Sequence, residues 1–525
     1  MKRLINFRSL LWIAAFGIIS SCAVFKKGDI QNSQVFPPDE TVSLIILQVN
    51  DFYEIAALDH GQIGGAARIA SIRKKLLQEN PNVLTVMAGD FLSPSLLGTL
   101  KWEGERIKGK QMVDVMNLVG FDLVTFGNHE FDIDEASLQK RINESKFEWV
   151  STNVQHVVKN NFEAFYKESN GQKVAIPETR ILPFTNSKGK LLKIGVVAPC
   201  LPANKVNFVV YKDVFKSVNL SLMQLLQTTD MQIALSHLNM EDDIKMAKLN
   251  PELDLILGGH EHENMKHQIG NSILTKADAN AKSVYVHRIS FNVKTKKFKI
   301  ASNLVKLDAS IVPDGEVSQL VNKWKGIENK VIREMGFDPD EELLTLHEPY
   351  DAREITLRNV PASFCEMISK AMLGSAKQKA DAAIMNSGSV RVDDMLSGKL
   401  SQYDILRALP YGGSVLEMDI TGNLLKKILE VGWKNQGSGG FLQWAQISRT
   451  KNAEWLIHGE PIQVQKSYHI AINDFLLTGQ EKNLDFLTPN NPEITNVSQV
   501  VNYDANDLRK DVRLAVIDYL KKGGR

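Results

Sequence analysis

The stretch LQVNDFYE, residues 47–54, decides how the first half of this chain folds. A largely apolar run over residues 42–49 ends abruptly, and Asn50, Asp51, Tyr53 and Glu54 follow at once. A short apolar run closed by polar residues reads as a strand, here one that delivers a carboxylate at its carboxyl end. The arrangement recurs down the chain. Residues 83–88 run into Gly89-Asp90, 123–126 into Gly127-Asn128-His129-Glu130-Phe131-Asp132, 232–236 into His237, and 253–257 into Gly258-Gly259-His260-Glu261-His262. Further strand-like runs at 147–151 and 194–198, with helical patterns at 66–79 and 111–119, complete a strand–helix alternation. That alternation predicts an α/β domain over residues 41–310.

In open α/β sheets, function collects just outside the carboxyl ends of the strands. Five strands here bring Asp, Asp, Asn-His, His and His-x-His to that edge. One Gly-Asp after a strand is ordinarily a turn, and one His is ordinarily a surface or core residue. Five such exits together read as a divalent-metal site. Imidazole nitrogens with carboxylate and amide oxygens, and no thiolate, suit Zn, Mn, Fe or Co. Gly89, Gly127, Gly258 and Gly259 are expected to let the backbone turn tightly after each strand.

At 525 residues the chain exceeds one ordinary core, and two domains of roughly 150–250 residues are the natural expectation. Lys+Arg is 62 and Asp+Glu is 61, for a formal net charge of +1, which gives no support to a nucleic-acid partner. Lys2 and Arg3, the apolar stretch 10–19 and Ile19-Ser20-Ser21-Cys22 read as a signal peptide over residues 1–22. Cys22 at the cut position resembles the bacterial lipoprotein box, which implies a lipid on Cys22 and a cell-envelope location. Residues 23–40 read as a polar tether. Cys200 and Cys365 fall in different expected domains and read as unbridged, Cys200 as a small buried hydrophobe. Pro313-Asp314-Gly315 signals a turn, and apolar residues from Val317 to Ile332 follow at helical spacing. Residues 311–345 are thus expected to be a linker helix, with a second, α+β domain over 346–525.

The set NDFYE, GDFLSPS (89–95), GNHEFD (127–132), LSHL (235–238) and GGHEHE (258–263) resembles the calcineurin-like metallophosphoesterases. NSGSVR (386–391), LPYGG (409–413), GGFLQ (439–443) and INDFLLTGQ (472–480) narrow the resemblance to the bacterial 5′-nucleotidase and UDP-sugar hydrolase family. The resemblance implies a β-sandwich flanked by helices, followed by a substrate-binding domain. It implies two metals, with Asp90 bridging them, Asp51 and His262 on the first, and Asn128, His237 and His260 on the second. His129 would be the catalytic imidazole and Asp132 its orienting partner, although Asp132 could equally cap the next helix. Two metals about 3.5–4 Å apart can clamp an in-line displacement at phosphorus and acidify a bound water to the attacking hydroxide. Arg391 would bind the substrate phosphate, Asn386 the nucleoside, and Phe441 and Phe486 would sandwich the base. Arg353 and Arg407 are further candidate cations. The implied activity is nucleotide hydrolysis, foremost that of a 5′-nucleotidase. A 2′,3′-cyclic phosphodiesterase, a UDP-sugar hydrolase, or a non-catalytic binding lipoprotein of the same fold are the alternatives.

Two departures from the family pattern stand out. Gly479-Gln480-Glu481-Lys482-Asn483 replaces the usual Gly-Gly-Asp-Gly run. Asp51-Phe52-Tyr53 replaces Asp-x-His, whose His is a ligand of the first metal. Tyr53 could ligate as phenolate, could stand beside a weaker first site, or could mark its loss, with Glu54 or His60 as compensating donors. A phenol pKa near 10 favours the second reading.

Overall fold

The computed structural model describes residues 36–203, 206–498, 504 and 506–524. The expected signal peptide, with Cys22, and the tether up to residue 35 lie outside the described residues.

Strands β1 (Thr41–Val49), β2 (Val83–Met87) and β3 (Leu123–Val124) run parallel and adjacent in a six-stranded sheet. Register sets Val49 level with Met87, and Met87 level with Val124. The loops carrying Asp51, Asp90 and Asn128 therefore leave one edge together. Strands β4 (Met231–Ser236) and β5 (Leu255–Gly258) are parallel neighbours in a second six-stranded sheet, with Ser236 level with Gly258.

The two sheets face each other across an apolar layer. Val42, Leu44 and Ile46 of β1 meet Ile233, Leu235, Leu255 and Leu257 there. The alternate β1 residues Ile45, Leu47 and Val49 enter a separate core with helices α1 (Ala66–Glu79) and α2 (Lys110–Val119). A strand buried on both faces is mostly apolar, which is why residues 42–49 read as a largely apolar run; its buried polar residue, Gln48, donates to Gly258 O and Thr275 O. Each such side chain contributes roughly 1.5–3 kcal/mol on full burial. The expected β-sandwich flanked by helices is thus the observed architecture, with element ends shifted by a few residues.

Helix α3 (Gly315–Glu334) forms where the spacing predicts it, with Asp314 Oδ1 accepting the Val317 N–H at 3.1 Å as its cap. Its N-terminal approach is docked against α1. Ser71 Oγ donates to Val312 O at 2.7 Å, the Asp314 N–H donates to Ala67 O at 3.0 Å, and Val317, Val321 and Trp324 are buried. In the second domain β6 (Ala382–Asn386) lies between Leu442–Ala445 and Ser467–Asn473 in a five-stranded sheet. Cys200 and Cys365 are buried and free.

Candidate metal centre

The shared edge of β1, β2 and β3 and the adjoining edge of β4 and β5 bring the donors together. Ligand atoms of Asp51, Asp90 and His237 all lie within 4.8 Å of one another, and all three residues are buried. His237 Nδ1 donates to Ala88 O at 2.7 Å, which turns Nε2 toward Asp90 Oδ2 at 3.1 Å and Asn128 Oδ1 at 3.2 Å. His262 Nε2 stands 3.4 Å from Asp51 Oδ1. The His260 backbone N–H donates to Asp51 Oδ2 at 2.9 Å, and the His237 and His260 rings meet edge-on at 5.4 Å. Asp51, Asp90 and His237 thus lie at metal-ligand spacing, with Asn128, His260 and His262 next to them.

The donor set fits a cation. Asp51 Oδ1 is buried and makes no hydrogen bond among the described residues, with His262 Nε2 facing it at 3.4 Å, and a carboxylate so placed is costly unless a charge faces it. Burial would raise the pKa of Asp90, but the charges of His237 and His129 outweigh it and hold the carboxyl below its usual range. Burial likewise opposes a charge on His237, but Asp90 lifts it to about 9. His260 goes the other way, down to about 3, through burial and the neighbouring His237 charge, which leaves it as the neutral imidazole that ligates metals.

Four of the six candidate ligands carry strained backbone. Asp51, Asp90, His260 and His262 have φ of 50°, 57°, 89° and 61°, a region uncommon for non-glycine residues and costly to hold. Gly127 is needed for space rather than for turning: a Cβ there would lie 2.1 Å from Asp90 Oδ1. Only Gly89 of the four expected turn glycines has a positive φ, at 79°.

Glu130, inside GNHEFD but with no role expected from the sequence, braces the loops of the candidate site. Its buried carboxylate accepts the N–H groups of Gly127 (2.6 Å), Asp90 (2.8 Å), Phe91 (2.8 Å) and Leu92 (3.0 Å), stapling the β2 and β3 exit loops. Burial, and then the Asp90 charge, push its carboxyl up to about 7. The only signal for it was its place inside GNHEFD. Asn50 acts similarly. Its amide donates to Asp51 Oδ2 at 2.8 Å and to Ala277 O at 2.9 Å, fixing the first carboxylate.

Tyr53 answers the question that its position raised. Its hydroxyl lies 3.1 Å from Asp90 Oδ2 and 3.1 Å from His262 Nε2, inside the donor cluster. Burial, then the Asp90 and Asp51 charges, drive its pKa well above the usual phenol value. It stands there as a neutral hydrogen-bonding group. His60 is exposed, in a turn at the rim of an interdomain cavity. Glu54 lines the cavity beside the cluster without reaching a ligand through any hydrogen bond among the described residues.

His129 and Asp132 pair at 2.6 Å through Nδ1 and Oδ2. Burial lowers the His129 pKa, but Asp132 and Asp90 outweigh it, so the imidazole is held toward its charged form. The capping alternative for Asp132 does not hold: Asp134 caps the next helix, accepting the Ser137 N–H at 3.0 Å. Arg391 comes from the second domain into the same small cavity as His129, Tyr53 and His262.

The expected base-binding residues all lie in the second domain. Phe441 is fully buried against Trp433, with ring centroids 5.7 Å apart. Phe486 packs on the second domain's core, with Lys427 Nζ 3.9 Å over its ring. The Phe441 ring has no exposed face, whereas Phe486 is half-buried with Lys427 over one side of its ring. Asn386 is 4% exposed and spends three of its hydrogen-bonding positions internally, on Glu481, Ser389 and Asn473. Glu481 belongs to the altered GQEKN loop, so that loop fills the Asn386 site. Arg353 is committed to Asp351, through two bonds of 2.9 and 2.8 Å.

A carboxylate–imidazole cluster on a β-sandwich edge, beside a His–Asp pair, defines a metal-dependent hydrolase, and residues 44–264 match the family model of the calcineurin-like phosphoesterases. Residues 343–488 match that of the 5′-nucleotidase C-terminal domain, and the chain belongs to the calcineurin-like phosphoesterases that carry this second domain. It is 24% identical over 532 residues to a 5′-nucleotidase of Vibrio cholerae, covering 91% of each chain. It is 27% identical over 496 residues to the trifunctional nucleotide phosphoesterase protein YfkN of Bacillus subtilis, covering 84% of this chain but 32% of that protein, so it spans about a third of that relative's length. Its fold is similar to that of a 5′-nucleotidase precursor from Thermus thermophilus, with a TM-score of 0.67 at 17% identity over 91% of this chain and 96% of that one. It is also similar to the sulfate thiohydrolase SoxB of Thermus thermophilus, with a TM-score of 0.65 at 15% identity over 92% and 94%. One fold thus hosts different named activities, and substrate has to be argued from the site.

Proposed function

We propose that this chain hydrolyses 5′-mononucleotides to nucleoside and phosphate. The observation that carries the reading is the His129–Asp132 pair set beside Asp90 and sharing a cavity with Arg391 of the second domain. Asp51 and His262 would hold one divalent ion, Asn128, His237 and His260 another, and Asp90 both, with Zn, Mn, Co or Fe suiting these donors. When bound, such ions supply the Lewis acidity that water attack on phosphorus needs. Charged His129 can stabilise the phosphoryl oxygens and give its Nε2 proton to the departing alkoxide, while Asp132 holds Nδ1–H. Arg391 offers its planar fork to the phosphate.

The cavity at His129 is only about 20 Å³ in this conformation, so a nucleotide would need the site to open further. A neighbouring interdomain cavity of about 630 Å³ shares Glu54 and Arg407 with it. That volume suits a small-molecule ligand, and the cavity is where the leaving group would lie. Because Phe441 is fully buried and Asn386 is hydrogen-bonded within the fold, a second reading stands: a smaller phosphoester without a base as substrate. Phosphate release from AMP, 2′,3′-cyclic AMP, UDP-glucose and p-nitrophenyl phosphate, with Mn²⁺, Co²⁺ or Zn²⁺, separates these. AMP as the best substrate supports the proposal. Turnover of p-nitrophenyl phosphate alone supports the second reading, and no turnover of any compound supports the non-catalytic lipoprotein.

Residues 41–310, 311–345 and 346–525 are proposed as catalytic domain, connecting helix and substrate domain. The leader supports export and lipid anchoring at Cys22, tested by mass spectrometry of the mature N-terminus. No helix among the described residues is long and apolar enough to cross a membrane.

A further inference from the structure

The first-metal ligand His262 is held from the other domain. Its Nδ1 is in direct hydrogen-bond contact with Asp393 Oδ2, while its Nε2 points to Asp51 and to the Tyr53 hydroxyl. Asp393 is itself fixed: Oδ1 accepts the Glu354 N–H at 2.5 Å, and its backbone takes φ of 41°. The carboxylate is 16% exposed, so the contact is largely shielded from water. Asp394, next in sequence, crosses the same interface to Lys282 Nζ at 2.8 Å. Arg391, two residues earlier, enters the cavity with His129. One four-residue loop of the second domain thus carries the phosphate-facing cation, the partner of a metal ligand, and an interdomain ion pair.

A metal-binding imidazole commonly donates its second N–H to a carboxylate, which fixes the tautomer and the ring direction. That partner ordinarily belongs to the same wall of the site. Here it belongs to the second domain, across the interface from the other candidate ligands. We propose that Asp393 is a positioning residue that fixes His262 across the domain interface, so that the first metal position is fully formed only when the domains are closed. The inference rests on the metal-centre reading above. Coupling between two equilibria is reciprocal, so a metal that binds the closed form more tightly also favours closure by the same factor. This gives the chain a device that suits the neutral Tyr53 at that position. With Tyr53 in place of a histidine, a first ion would have one fewer nitrogen donor from the loop after β1, and orientation of His262 by Asp393 would offset the loss.

The test is Co²⁺ binding to the full mature chain, followed by calorimetry and by the visible spectrum of the bound ion. Asp393→Ala should weaken the first-site ion about 10–100-fold, change its spectrum, and leave the other equivalent in place. Survival of that second equivalent shows that the variant is folded. Asp393→Asn, which keeps an oxygen acceptor for Nδ1–H, should recover most of the affinity. Asp394→Ala removes a partly exposed ion pair and should shift affinity by less than about fivefold. Asp393→Ala and Asp393→Asn within twofold of the wild type, with unchanged spectra, would overturn the proposal. So would an Asp394→Ala loss equal to that of Asp393→Ala, because the effect would then belong to the interface as a whole. A wild-type chain that takes up no Co²⁺ overturns the metal-centre reading and this inference together.

Discussion

Lys276 offers a quantitative test of how the ligand loops are braced. It is fully buried, with Nζ 2.8 Å from Asp243 Oδ2, 2.7 Å from Leu238 O, and in contact with Glu261. Asp243 is also fully buried and accepts Ser236 Oγ at 2.5 Å. Ser236 precedes His237, and Glu261 lies between His260 and His262, so this one cation ties together the exits of β4 and β5. Lys276→Met keeps most of the volume and removes the charge, leaving two carboxylates uncompensated, one of them wholly out of water. Breaking a buried pair in this way costs about 3–5 kcal/mol, a large share of the roughly 5–15 kcal/mol that holds a domain folded. With a urea m-value of about 3 kcal/mol/M, the midpoint should fall by roughly 1 M or more at pH 8 in EDTA. The pH dependence has a definite sign. Burial already raises the pKa values of Asp243 and Glu261 despite Lys276, and losing the cation raises them further. Between the unfolded carboxyl pKa and the folded one, the folded state keeps a proton that the unfolded state has lost, so stability falls as pH rises through the folded pKa. The variant should therefore be closer to the wild type at pH 5 than at pH 8, and adding Asp243→Asn should restore part of the loss at pH 8. A Lys276→Met midpoint within about 0.2 M of the wild type at pH 8, or a deficit independent of pH, would refute the reasoning.

Other expectations follow from single contacts. Gly127→Ala should fold but lose at least about tenfold in Co²⁺ affinity, read by calorimetry, because its Cβ would collide with Asp90 Oδ1. Tyr53→His should tighten the first Co²⁺ equivalent, because a nitrogen donor replaces a protonated phenol beside Asp90; calorimetry again gives the comparison. His469 opposes its burial through bonds to Asp419 (2.7 Å) and Glu417 (3.2 Å), which raise its pKa. Its stabilising effect is therefore full below the unfolded histidine pKa near 6.5 and is lost as pH rises through the folded value. Urea denaturation of wild type and His469→Gln should differ more at pH 6 than at pH 9.

The strand exits were legible because their signal is local. A buried parallel strand must be apolar, and a polar residue directly after it has one edge to occupy, so Asp51, Asp90, Asn128, His237, His260 and His262 could be placed together from the linear sequence. Glu130 was illegible because its partners are backbone N–H groups of another loop, which no side-chain pattern announces. Asp393 was illegible because it is 131 residues from His262 in a separate domain. Phe441, Phe486 and Asn386 were visible as residue types, but their exposure is a property of tertiary packing. The GQEKN loop places Glu481 on Asn386, and Trp433 and Lys427 cover the two rings.

The central claim, that the donor cluster and the His129–Asp132 pair form one phosphohydrolase site, is tested most directly by phosphate release from AMP during Mn²⁺ titration of the metal-stripped mature chain. The account predicts a rate that climbs to a plateau by two equivalents per chain, and that His129→Ala lowers at least about 100-fold at the same metal content. Two bound equivalents with no phosphate released, or a His129→Ala rate equal to the wild type, would contradict it.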